Sequence, residues 1–289
     1  SLVVIGALFA ACNNDDEEET AAPTTASAAP TTTQSAPSYA RATPVAAPAE
    51  PGEQFTVAEV IDGDTFTIGG VAKGAAMLEP NMATMLAVLT TDALLDTVTA
   101  TDLLRAAVGV SFNCLTVDGA ESTNDTVLLL ASGAAGPVDT GEFGGLLADA
   151  CRDLAIQMAD DAEGSTKTVF LTVTGAADDA EAAKGARDTA NCQLVKCSWY
   201  GEDPYWGRIA AEMGAAGIAF DPATITISYG GQVVYAAEQV QPVDEIALTA
   251  HMAGRRIHLE VDLGQGSGSA WIVTTDLSHA YIDENMRTS

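Results

Sequence analysis

GGVAKGAAMLEPNMATMLAVLTTDA, residues 69–93, holds the most informative junction of this 289-residue chain. A glycine-rich approach carrying Lys73 leads to a small residue, Ala83, joined to Thr84, and an apolar run over 84–90 then reads as a buried strand. Such a junction suits self-cleavage. The Thr84 hydroxyl attacks the Ala83 carbonyl, the acyl group shifts from nitrogen to oxygen, and hydrolysis of the ester frees Thr84 as a new N-terminus. A freed threonine carries its own base, because its α-amine, with an ordinary pKa near ~8, can take the hydroxyl proton. Taken alone, an Ala-Thr pair at the head of a strand is equally an ordinary strand threonine.

Downstream of this junction, strand and helix signals alternate to the C-terminus. The spacing predicts a helix over 101–112, with Leu103, Leu104, Ala107 and Val110 on one face, then strand candidates over 115–118 and 125–132, the second of which also suits a helix. A long helix follows over 140–160, where Phe143, Leu147, Ala150, Leu154 and Met158 recur at helical spacing. KTVFLTVTG reads as a strand over 167–175, with a helix over 178–190 and a strand over 194–200 behind it. Asp203-Pro204 has the form of a helix cap and opens a helix to about 214. ITISYGGQVVY (225–235) reads as a hairpin across Gly230-Gly231, a helix covers 243–253, and RIHLEVDL and SAWIVTTDL form the last strands. GQGSGS (264–269) contains a GxGxG but opens no helix, so it reads as a hairpin loop, not a dinucleotide site.

The words around Ala83-Thr84 resemble the processing site of the ornithine acetyltransferases, also called the bifunctional arginine biosynthesis or glutamate N-acetyltransferase family. The resemblance continues in register through VDGAESTNDTVLLLASG (117–133), DDAEGSTK (160–167), LVKCSWYGEDPYWGR (194–208), the 225–235 hairpin and VDLGQGSGSAWIVTTDLSHAYIDEN (261–285). It implies an α/β (α+β) layered sandwich built around an N-terminal-nucleophile site. It also implies transfer of acetyl from N-acetylornithine to glutamate through an acetyl-threonine intermediate, with acetyl-CoA used as a donor by some members. Carried over residue by residue, Thr84 matches the nucleophile and Ala83-Thr84 the cleavage bond. Lys73 and Glu163 match substrate-binding residues, as do Asn285 and the terminal hydroxyl of Ser289 or Thr288. One fixed cation and one fixed anion suit an amino-acid substrate, which carries both an ammonium and a carboxylate. No metal or bound cofactor is implied, and members assemble as α2β2-like oligomers of two cleaved chains. In STNDT (122–126), Asn124 and Asp125 read equally as site-shaping residues and as turn formers.

Upstream of Gly69 the sequence has a different character. LVVIGALFAA (2–11) before Cys12 resembles a lipoprotein signal, the acidic NNDDEEE follows, and residues 13–54 read as a disordered Ala/Thr/Pro tether. FTVAEVIDGDTFTIGG (55–70) reads as a hairpin near Asp62-Gly63, and VAEVIDGDTF is similar to the opening strand of a staphylococcal-nuclease-like domain. The family's oxyanion-hole words, carried on a longer segment before the cleavage bond, do not occur before Gly69. A non-catalytic remnant or a fusion lacking that half is therefore the alternative reading, with a membrane-anchored nuclease a remote third. The resemblance implies a cytoplasmic enzyme, whereas the N-terminus implies a lipid-anchored, extracytoplasmic one.

Composition narrows the partners further. Against 12 Lys+Arg stand 40 Asp+Glu, a formal charge of −28, which opposes binding to nucleic acid or an anionic membrane surface. With 47% hydrophobic but only 6% aromatic residues, the interior is expected to be an α/β core of small side chains. Five cysteines without a CxxC spacing indicate neither a disulfide scaffold nor a zinc ribbon. All but Cys12, namely Cys114, Cys151, Cys192 and Cys197, read as ordinary buried thiols.

Overall fold

The computed structural model describes residues 3–8 and 56–63 as strands, and residues 66–79, 85–120 and 125–286 in full. Alternation of apolar and polar residues builds the first sheet. In β4 (Leu86–Leu94), Ala87, Leu89, Thr91 and Ala93 are buried on one face while Leu86, Thr90 and Leu94 are exposed on the other. Its neighbours are β3 (Phe66–Lys73), antiparallel to it, and β5 (Thr126–Pro137), parallel to it. β2 (Thr56–Gly63) and β1 (Val3–Leu8) close the two edges, giving the order β1-β5-β4-β3-β2. The expected 55–70 hairpin is thus present as β2 and β3, with Gly63 opposite Phe66. It is part of this sheet and not the start of a separate nuclease-like unit. Val3–Leu8 of the signal-like run pairs antiparallel with β5, whereas Cys12 and the 13–54 tether lie outside the described residues.

The parallel β4–β5 step is bridged by α1 (Thr97–Gly109), whose first turn is capped by Asp96 accepting from Val98 N and Thr99 N. α2 (Thr140–Asp160) has the residue range that its hydrophobic spacing predicted, capped by Asp139. Its buried stripe of Phe143, Leu147, Ala150, Leu154 and Met158 packs with α1 on the first sheet, and the same cluster reaches Val273, Phe170 and Trp271 of the second sheet. The helix pair is therefore a layer between two sheets.

The second sheet is ordered β11-β6-β10-β7-β8-β9, with β6 (Thr168–Ala176), β7 (Thr226–Tyr229), β8 (Gln232–Ala236), β9 (Gln239–Val240), β10 (Arg256–Asp262) and β11 (Gly268–Thr275). Helices α3 (Asp179–Asn191), α4 (Gln193–Tyr200), α5 (Trp206–Ala215) and α6 (Glu245–Ala253) contribute to its separate core, with Trp199, Tyr229, Ile209, Met213 and Met252 fully buried. α7 (His279–Asn285) ends the described chain. The sheets and helices thus stack in layers, as an α/β sandwich requires.

Four expectations are corrected. Residues 194–200 are the helix α4, not a strand, because Val195 and Trp199, one turn apart, both enter the second core. Of 115–118 only Leu115 makes a bridge, to Val273; Thr116 is irregular and Val117 and Asp118 form a bend. GQGSGS is not a hairpin loop, because β6 lies between β10 and β11 and the loop crosses its end. There a Cβ on Gly268 would overlap the Asp178 backbone. Asp203 does not cap α5, which starts after Tyr205 without a side-chain cap. A fifth correction concerns the thiols: Cys151 is buried as expected, but Cys114 and Cys192 are half-buried and Cys197 is exposed, on the face of α4 away from Val195 and Trp199. Among the described residues no helix is long and apolar enough to cross a membrane.

Candidate active site

Lys73 is the last residue of β3 and pairs across the ladder with Leu86, two residues beyond Thr84. Its side chain is exposed. Between them residues 74–79 form an arm, and polar groups from distant parts of the chain hold it. Asp118 accepts from Met77 N at 2.7 Å and Leu78 N at 3.1 Å, and Val117 N donates to Leu78 O at 2.6 Å. Glu79 turns inward and is buried, accepting from Arg187 at 3.1 Å and from Asn191 at 2.6 Å. Thr116 Oγ1 completes this group, 2.7 Å from Asn191 Oδ1 and 3.2 Å from Glu79 Oε2. An acid this deep persists only when paired in this way.

Glu163 enters from the opposite side. Its N–H donates to Ala75 O at 2.9 Å, and its carboxylate accepts from Asn285 Nδ2 at 3.2 Å. Local chain geometry explains the approach. Gly164 takes the left-handed conformation, with φ of 61°, and turns the chain after α2 against the first turn of α7. Ser278, the α7 cap, donates its hydroxyl proton to Gly164 O at 2.5 Å and accepts from Tyr281 N at 3.1 Å. Tyr281 Oη in turn donates to Asp118 at 3.0 Å, so α7 braces the arm and presents Asn285 to Glu163 together. Burial, followed by the Asp118 charge, pushes the Tyr281 phenol up to about 12, which keeps it a donor at neutral pH.

Beneath the arm, Lys196 of α4 is 3% exposed and donates to Thr274 Oγ1 at 2.9 Å and Thr275 O at 2.6 Å. Burial lowers its pKa to about 7, although Asp276, Asp118 and Glu79 oppose that shift. Asp276 itself accepts from Thr166 N, Thr166 Oγ1 and Lys167 N, fixing the loop after Glu163. Asp125, at the start of β5, accepts from Met85 N at 2.6 Å, and Thr126 N returns a bond to Met85 O at 2.9 Å.

The structure thus brings Glu163 and Asn285 into contact, while Lys73, at the end of β3, lies two residues along the chain from Glu163's partner Ala75. Ala83, Thr84, Thr288 and Ser289 lie outside the described residues. Sequence reasoning missed Asp118, Glu79, Tyr281 and Lys196, and left Asp125 undecided. The only signals were the turn words VDG and STND, which look alike whether they shape a loop or a site.

A family model described as the ArgJ family matches residues 28–288. The arginine biosynthesis bifunctional protein ArgJ of Mycolicibacterium paratuberculosis is 48% identical over 221 residues, covering 76% of this chain and 54% of that relative. Its namesake in Thermobifida fusca is 46% identical over 224 residues, covering 77% of this chain and 58% of the relative. The chain therefore spans about half the length of the curated relatives it matches. Among solved structures, the arginine biosynthesis bifunctional protein ArgJ from Bacillus halodurans aligns with a TM-score of 0.66 at 35% identity. That alignment covers 69% of this chain and 97% of the crystallised one.

Proposed function

The chain belongs to the ArgJ family, and from that premise we propose that it transfers acetyl from N-acetylornithine to glutamate through an ester on Thr84, after cleavage of its own Ala83-Thr84 bond. The observation that carries the reading is the contact of Glu163 with Asn285 and with Ala75, which lies two residues from Lys73 in the chain, although Glu163 and Asn285 are far from it in sequence.

In the proposed cycle the Thr84 α-amine takes the Thr84 hydroxyl proton as the oxygen attacks the acetyl carbonyl of N-acetylornithine. The carbon–oxygen bond forms, the carbon–nitrogen bond breaks, and ornithine leaves with the proton. The α-amine of glutamate then attacks the ester carbonyl, a carbon–nitrogen bond forms as the carbon–oxygen bond to Thr84 breaks, and the proton lost by the glutamate amine passes to the Thr84 oxygen as N-acetylglutamate leaves. Lys73 and Glu163 offer opposite charges to the zwitterionic substrate, and Asn285 orients Glu163. The terminal hydroxyl of Ser289 or Thr288 is a further proposed contact. No resident cofactor takes part in the proposed cycle, acetyl-CoA serves as an alternative donor, cleaved protomers assemble as α2β2, and the working compartment is the cytoplasm.

Purified wild type and Thr84→Ala are compared by intact mass and N-terminal sequencing. Wild type is expected to yield two pieces, the second beginning at Thr84, while the variant stays whole. Ornithine release is then assayed with and without the segment of a curated relative that lies outside the match. A wild type that never cleaves refutes the processing step. Cleaved protein that releases no ornithine even with that segment supports a non-catalytic remnant.

A further inference from the structure

Lys196 takes no part in the proposed cycle, yet the acids around it hold the segments that shape the site. Its buried amine donates to Thr274 Oγ1 and Thr275 O, and Thr274 Oγ1 donates onward to Ala190 O at 3.4 Å. A neutral amine has two N–H groups, and these two bonds occupy both. A third proton therefore adds a charge while both bonds stay in place. Asp276, Asp118 and Glu79 all act on that charge, and each holds a different piece of the site. Asp276 fixes Thr166 and Lys167, just behind Glu163 and Gly164. Asp118 fixes Met77 and Leu78 of the arm and Tyr281 of α7, while Glu79 ties the inner end of the arm to Arg187 and Asn191. Arg187 compensates Glu79 directly, whereas Asp118 and Asp276 are held by uncharged N–H and O–H donors. With Lys196 protonated, the three acids share one cation. With it neutral, they face one another as like charges, and their repulsion loosens what each holds.

We propose that Lys196 is a positioning residue for substrate binding, its ammonium acting through Asp276 and Asp118 to keep the loop after Glu163 and helix α7 in the arrangement that sets Glu163 against Asn285. This inference rests on the reading above that Glu163 and Asn285 bind N-acetylornithine. Burial lowers the Lys196 pKa to about 7, so the charge is present below that pH and lost above it. The groups that face it are Asp276 from the end of β11, Asp118 from the bend before β5 and Glu79 from the arm, with Arg187 of α3 and Tyr281 of α7 bonded to those acids. Substrate affinity is therefore highest below pH 7 and falls as pH rises. By linkage, binding just above pH 7 takes a proton from solvent.

The test is calorimetry of N-acetylornithine binding to the full-length protein, in buffers of different ionisation enthalpy, which reads affinity and proton uptake together. Wild type is expected to lose about fivefold in affinity from pH 6 to pH 9 and to take up about 0.4 proton per ligand at pH 7.4. Lys196→Met should bind at pH 6 as weakly as wild type does at pH 9, and its uptake at pH 7.4 should be smaller by that same amount. A side chain that merely filled the core would leave proton uptake unchanged when replaced. Equal uptake in wild type and variant overturns the inference while leaving the binding reading intact. If the variant fails to fold, wild type decides alone, and binding without proton uptake at pH 7.4 overturns the inference. A wild type that binds no N-acetylornithine at any pH overturns both.

Discussion

Replacing Lys196 with methionine should convert a pH-dependent stability into a flatter one. The Lys196 amine is enclosed by α4 and the end of β11, with a folded pKa of about 7 against an ordinary 10.5. Asp276, Asp118 and Glu79 face it and limit the shift without reversing it. Between these values the unfolded chain holds the proton that the folded chain has released, so stability rises with pH across that window. Below pH 7 both states are protonated and the full cost of burying the ammonium is present. Integrated from pH 7 to pH 9, the contribution is about 2 kcal/mol in favour of wild type. The methionine variant has no such proton, and it leaves Thr275 O without its donor, an offset of about 1–3 kcal/mol that is independent of pH. Urea unfolding of both proteins at pH 6, 7, 8 and 9 gives the difference directly. The stability advantage of wild type over the variant should grow by about 2 kcal/mol from pH 7 to pH 9. A constant difference, or one that shrinks as pH rises, would show that Lys196 is charged in the folded protein throughout.

Glu79→Ala should destabilise by about 2 kcal/mol in urea unfolding, less than a fully enclosed ion pair because Arg187 keeps partial solvent contact and its bond to Asn113 O. The same variant should slow appearance of the Thr84 N-terminus, since the arm loses its inward anchor; an unchanged rate removes Glu79 from that role. Gly164→Ala introduces a methyl that overlaps Tyr281 N at a left-handed φ, and it should push α7 away and separate Asn285 from Glu163. Calorimetry should then show weaker N-acetylornithine binding together with a lower melting temperature. Lys73→Ala and Glu163→Ala should weaken the same binding with the melting temperature nearly unchanged, and equal affinity in wild type and both variants excludes them from the site.

Much of the layering was legible in the chain itself. The twenty-one residues of α2 carry an apolar stripe through several turns and an aspartate cap, so period and boundary signals agree. The alternation in β4, β6 and β10 is equally plain, because each strand buries one or both faces against neighbours of fixed chemistry. The family was also legible, since its words recur in register across more than two hundred residues. Residues 194–200 were not. In LVKCSWY the β-branched and aromatic residues suit a strand, and only the position of α4 against α3 and the second sheet sets Val195 and Trp199 one helical turn apart into one core. The same packing buries Lys196, whose charge in the sequence looks like any surface lysine's. The path of GQGSGS across β6 depended on strand order, which no local pattern encodes. For the site, sequence named Lys73, Glu163 and Asn285 but could not show that Glu163 and Asn285 touch. The contact of Glu163 with Asn285 and with the arm depends on Gly164 turning α2 onto α7 and on Asp118 and Glu79 fixing the arm, contacts between segments 37 to 163 residues apart. Hydrogen bonds over such separations leave no periodic trace along the chain, so the electrostatics of the site were decided by tertiary structure alone.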